Sequence, residues 1–104
     1  MPEPAIVNNE PGHQFEWSED GETAVLTYRL RPESITFLHT GVPRSLEGRG
    51  IAAKLAVAGL TYARANGLAV VPLCPYVAAY IRKHPEYLDI VREDHRARLS
   101  ALTT

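Results

Sequence analysis

Between residues 47 and 73 the chain reads EGRGIAAKLAVAGLTYARANGLAVVPL, a glycine-opened helix that runs into a short apolar strand. No other stretch limits the possible folds as strongly. Ile51, Leu55, Ala58 or Gly59, and Tyr62 recur at helical spacing, while Lys54, Thr61 and Arg64 fall off that stripe. Gly67 after Asn66 supplies a stop. Leu68 to Leu73 is a nearly continuous apolar run, the pattern of a strand buried on both faces. Upstream, SITFLHTGV (Ser34 to Val42) is rich in β-branched and aromatic residues and reads as another strand. A helix that leaves one strand and arrives at the next makes a crossover, and such a crossover sets the two strands parallel.

The rest of the chain fits around this unit. HQFEWSEDGETAVLTYRL alternates, with Phe15 and Trp17 before an Asp20-Gly21 turn and Leu26 and Tyr28 after it, which predicts a hairpin. Arg31-Pro32-Glu33 interrupts the second strand. Pro75 suits the first position of a new helix, Tyr76 to Lys83, that stops before Pro85. The expected order is β-β-β-α-β-α: an α/β (α+β) fold with a mixed central sheet, antiparallel first and parallel after the crossover, in one compact domain. Residues 1–12 hold three prolines and few large apolar groups and predict a flexible lead-in. The domain is expected over 13–91, with a polar tail or short helix over 92–104. At 104 residues the chain is long enough for one core.

Charge narrows the function classes. The formal net charge is −1, so there is no global basic field to attract nucleic acid. No apolar run approaches the roughly 18 residues of a membrane span, and the first residues lack the pattern of a signal peptide. Cys74 is the only cysteine, so an internal disulfide is ruled out and a reducing compartment, the cytoplasm, is expected. His39, Cys74, His84 and His95 lack metal-ligand spacing, and no metal is expected.

Two segments carry chemistry. In LEGRGIAAKL, Gly48 and Gly50 flank Arg49 where a helix begins. Glycines there admit unusual backbone angles and keep side chains away from a ligand. The first helical turn leaves N–H groups unpaired and partly positive, a cradle for phosphate, with Arg44, Arg49 and Lys54 adding charge. The plainer alternative is a glycine-eased turn. The second segment, VPLCPYVAAY, puts Cys74 at the join of strand and helix, where free N–H groups favour a thiolate. Both segments follow strand ends, the usual binding edge of a parallel sheet. Cys74 is a candidate nucleophile, a pocket-lining group, or a small buried hydrophobe. His39 is a candidate base, or a core or edge residue alternating with Ile35 and Phe37. Tyr76 and Tyr80 are candidates to shape an acyl pocket, or else pack on the sheet. A dinucleotide site fits poorly, because the third glycine of that fingerprint and the acidic residue that should end the next strand are both missing.

HTGVPRSLEGRGIAAKL followed by GLAVVPLCPYVAAYIRKHPEY resembles the GNAT superfamily of N-acetyltransferases, in particular its short, single-domain YjdJ-like branch. The resemblance runs from about Thr23 to Tyr87. It implies that Glu47-Gly48-Arg49-Gly50-Ile51-Ala52 grips the pyrophosphate of acetyl-CoA, with Gly48, Arg49, Gly50 and Ala52 against it. It implies that the backbone of Thr40, Gly41 and Val42 pairs with the pantetheine arm, and that Cys74 is a candidate catalytic residue. Glu47 departs from the Gln or Arg usual at its position. The helix and strand pairs with which larger members enclose their acceptor are missing, so the acceptor does not transfer. The activity implied is acetyl transfer from acetyl-CoA to a small amine or an exposed protein amine, by a monomer or weak homodimer. The alternative is a non-catalytic acyl-CoA-binding module.

Overall fold

Strand alternation in the first half of the chain resolves into an antiparallel meander. The structure is a computed structural model; it describes residues 6–101, with only the backbone described at 100 and 101. Strands β1 (Val7–Asn9), β2 (Gln14–Glu19), β3 (Glu22–Leu30) and β4 (Ser34–Gly41) follow one another, and helix α1 (Ile51–Ala65) leads to β5 (Ala69–Pro72). Helices α2 (Pro75–Lys83) and α3 (Glu93–Ala101) complete the described chain, with short 3-10 turns at Arg44–Leu46 and Pro85–Ile90. Among the described residues the sheet has the order β1-β2-β3-β4-β5, antiparallel except where β4 meets β5. The expected order lies within this one, extended by β1 at the start and α3 at the end.

β1 departs from the expectation of a flexible lead-in. Val7, Asn8 and Asn9 pair with Glu16, Phe15 and Gln14. The signal is weak locally, because asparagine is a poor strand former. Long-range side-chain bonds hold it instead: Tyr28 donates to Asn8 at 2.7 Å, and Asn9 donates to Glu16 at 2.8 Å. Residues 1–5 of the lead-in, and 102–104 of the tail, lie outside the described residues.

The core forms where one sheet face meets the helices. Phe15, Trp17, Ala24, Leu26, Tyr28, Ile35 and Phe37 join Ile51, Leu55, Leu60, Val77, Ile81 and Leu99 in one buried cluster. Of the two residues the helical spacing left open, Gly59 is the buried one. A Cβ there would come within 2.7 Å of the Phe37 ring and 3.1 Å of Leu26, so only glycine lets α1 lie this close to the sheet. The helix ends in a Schellman arrangement, Leu68 N–H to Ala63 O at 2.9 Å and Gly67 N–H to Arg64 O at 3.3 Å, which turns the chain straight into β5. Among the described residues no helix is long and apolar enough to cross a membrane.

Candidate active site

The β4–β5 ladder is short. It runs from Ser34↔Ala69 to Phe37↔Pro72, and the Cys74 N–H adds one last bond to Phe37 O at 2.8 Å. Beyond that point the chain turns into α2, so β4 continues from Leu38 to Gly41 with its β5-side edge open. Pro72 and Pro75 explain the departure: neither can donate to a ladder, and Pro75 occupies the first turn of α2. The first residues past the last pair, Leu38 and Leu73, are 37% and 55% exposed. An open edge between two parallel strands is a place for an extended, amide-bearing ligand to add itself.

At one end of this edge lies the start of α1. Gly50 is its N-cap with φ 75°, and Gly48 has φ 82°. The first helical bond is Lys54 N–H to Gly50 O, so the N–H groups of Ile51, Ala52 and Ala53 have no partner within the helix. The first turn holds no acidic residue. These groups open into a cavity of about 140 Å³, lined by Val42, Glu47, Gly48, Gly50, Ile51, Ala52 and Tyr76 among others. Backbone donors, a positive helix end and open space above both glycines fit a diphosphate.

At the other end lies Cys74. It is 1% exposed, it caps α2 with its backbone, and its Sγ is 3.2 Å from Thr40 Oγ1. Thr40 reaches it because of a bulge. Thr27 pairs with His39 but Tyr28 pairs with Phe37, which leaves Leu38 as the extra residue. Past the bulge the facing of β4 is inverted: Thr40 lies opposite the buried Leu26, on the core side with Cys74. His39 lies opposite Thr27 on the other face. The expected alternation of His39 with Ile35 and Phe37 is therefore broken, and His39 is exposed with its ring over Gly41.

The remaining candidates divide. Tyr76, 39% exposed, lines the cavity from the first turn of α2. Tyr80 turns away and stacks on His84 at 4.2 Å, with Tyr87 beyond; burial raises its phenol above the ordinary range. Arg44 and Glu47 are exposed on the turn before the loop. Arg49 does not face the cavity: its guanidinium is paired with Glu19 on the β2–β3 hairpin. Sequence reasoning missed Glu19, and it missed Thr40 as the partner of the thiol. The spacing of 30 residues between Glu19 and Arg49 carries no local signal. Among the described residues no group of His, Cys, Asp and Glu is close enough to hold a metal.

A short glycine loop feeding a helix, an opened pair of parallel strands and a thiol at their junction together describe a scaffold for an extended ligand with an anionic end. Comparison with known proteins gives the family. The family model for GCN5-related N-acetyl-transferase matches residues 14–90. The chain thus belongs to the GCN5-related N-acetyltransferase family, and that membership makes it an acyltransferase. Among solved structures it is similar to the solution NMR structure of a GCN5-like protein from Staphylococcus aureus whose proposed activity is N-acetyl transfer. The two share 29% identity over 88% of this chain and 91% of that one, with a TM-score of 0.68. No curated protein matches the chain.

Proposed function

We propose that the protein transfers an acetyl group from acetyl-CoA to an amine, with the diphosphate at the start of α1 and the acyl end directed along the open edge of β4 toward Cys74. One observation carries this reading. The β4–β5 ladder ends early, and the edge it leaves open runs between a phosphate-type cavity and a buried thiol. Bound acetyl-CoA supplies a carbonyl carbon already activated as a thioester. The chain's own residues do the rest. The N–H groups of Gly48, Gly50, Ile51 and Ala52 donate to phosphate oxygens. The backbone of Thr40, Gly41 and Val42 pairs with the amides of the arm. The exposed His39 takes a proton from an amine that arrives on the open face. Thr40 and Cys74 form the polar pair on the closed face. The lone thiol suits a reducing compartment, and we assign the cytoplasm on that ground.

The burial of Cys74 favours direct attack by the amine, since a nucleophile at 1% exposure has little room to turn. Its seat at the start of α2 favours the covalent route, in which the sulfur carries the acetyl group. Incubation with labelled acetyl-CoA and a panel of small amines and lysine peptides, followed by intact-mass measurement, separates the two. The expected result is turnover with no adduct, and Cys74→Ala within about tenfold of the parent. An acetyl adduct present in the parent and missing in Cys74→Ala assigns the covalent route. No coenzyme A binding at all overturns the reading.

A further inference from the structure

We infer that Glu19 is a positioning residue for coenzyme A and acts through the Arg49 side chain that it holds. The inference rests on the reading of residues 47–52 as the diphosphate site. Gly48-Arg49-Gly50 is an arch with a left-handed residue on each side of Arg49. Packing does not hold it, for a Cβ built on either glycine meets nothing within 4 Å. At its base the arch is tied by Glu47 N–H to Arg44 O at 3.2 Å. At its crown it is tied by the Arg49 guanidinium, which donates to Glu19 Oε2.

Glu19 is itself fixed. Its other oxygen, Oε1, accepts from the Trp17 indole at 3.2 Å, and Trp17 is 5% exposed within the core. The Lys54 ammonium, from the second turn of α1, stands 5.0 Å over the same indole ring. A chain of contacts thus runs from the core through Trp17 and Glu19 to the crown of the arch. It holds the amides of the arch in place on a loop that would otherwise sample many backbone states. It also directs the charge of Arg49 at a carboxylate of the hairpin, so the phosphates meet the backbone of residue 49 and not its side chain. The pair is half-exposed, so its effect is modest.

The test uses the full chain, coenzyme A titrated by calorimetry, and four variants: Glu19→Gln, Arg49→Gln, both together, and the swap Glu19→Arg with Arg49→Glu. Each single change is expected to weaken Kd by about twofold to fivefold. The double variant should be no weaker than either single one, because both remove the same tie. The swap should recover most of the affinity. Amide hydrogen exchange at Gly48–Gly50, measured without coenzyme, should quicken in both single variants while the melting temperature stays put. If Glu19→Gln tightens binding while Arg49→Gln weakens it, or if the swap binds no better than the double Gln variant, the guanidinium is a phosphate ligand and the inference is wrong. Unchanged exchange in both single variants also overturns it. A parent that takes up no coenzyme A removes the site reading instead, and the exchange result still decides whether Glu19 holds the arch.

Discussion

Helices α1 and α2 begin in the same way and are used differently. Both follow the end of a parallel strand, and neither has a side-chain cap or an acidic residue in its first turn. Both therefore present unpaired N–H groups at a partly positive end. α1 opens through exposed glycines into a cavity, room enough for a large anion. α2 opens beneath a thiol that is out of water and already in contact with Thr40. α3 makes the contrast sharper, because Glu93 and Asp94 occupy its first turn, so its positive end is already answered from within the chain. An uncapped helix start is thus informative through its surroundings: solvent and glycine at one end of the open edge, burial and sulfur at the other.

The largest expected effect comes from giving α1 what α3 has. Gly50→Glu combines the cost of a side chain at positive φ with a carboxylate at the anion site. Where the free loop relaxes out of the strained angle, so that binding must restore it, the two together reach about 3 kcal/mol, or roughly a hundredfold in coenzyme A affinity by calorimetry. An affinity within about threefold of the parent would mean that the start of α1 is not where the diphosphate binds. Next is the packing that seats α1 on the sheet. Gly59→Ala drives a methyl into Phe37 and should lower stability by about 1–3 kcal/mol in urea unfolding. The smallest effect belongs to α3. Arg92 beside Asp94 lowers that carboxyl to about 2. A lowered carboxyl adds stability that is complete above its unfolded value near 3.8 and is lost as pH falls toward 2. Asp94→Asn should therefore melt slightly below the parent at pH 7, and the gap should close between about pH 4 and pH 2. A gap that widens on acidification would reverse the sign.

Most of the crossover was legible because its signals are local. The stripe from Ile51 to Tyr62, the stop at Asn66-Gly67 and the apolar run from Leu68 each report on neighbours a few residues away. The glycine-opened turn into α1 was legible for the same reason. Three features were not. β1 depends on Asn8 meeting Tyr28, twenty residues on. The hold on Arg49 depends on Glu19, thirty residues back. The bulge at Leu38 depends on how β4 registers against β3, and no periodicity in SITFLHTGV announces it. Each is a tertiary fact that the local pattern does not contain, and two of the three bear directly on which side chains face the opening. Family resemblance supplied the expectation of a coenzyme and of a role for the loop, but not the side on which His39 stands.

That extra residue in β4 makes the sheet a partition. Leu38 is the odd count that sends an imidazole to the wet side and a hydroxyl to the dry side, beside the sulfur. Were Leu38 instead paired in unbroken alternation, the two would exchange, and the His39 ring would be buried where Thr40 now stands. A single bulge thereby decides which ring meets solvent and which hydroxyl meets the sulfur.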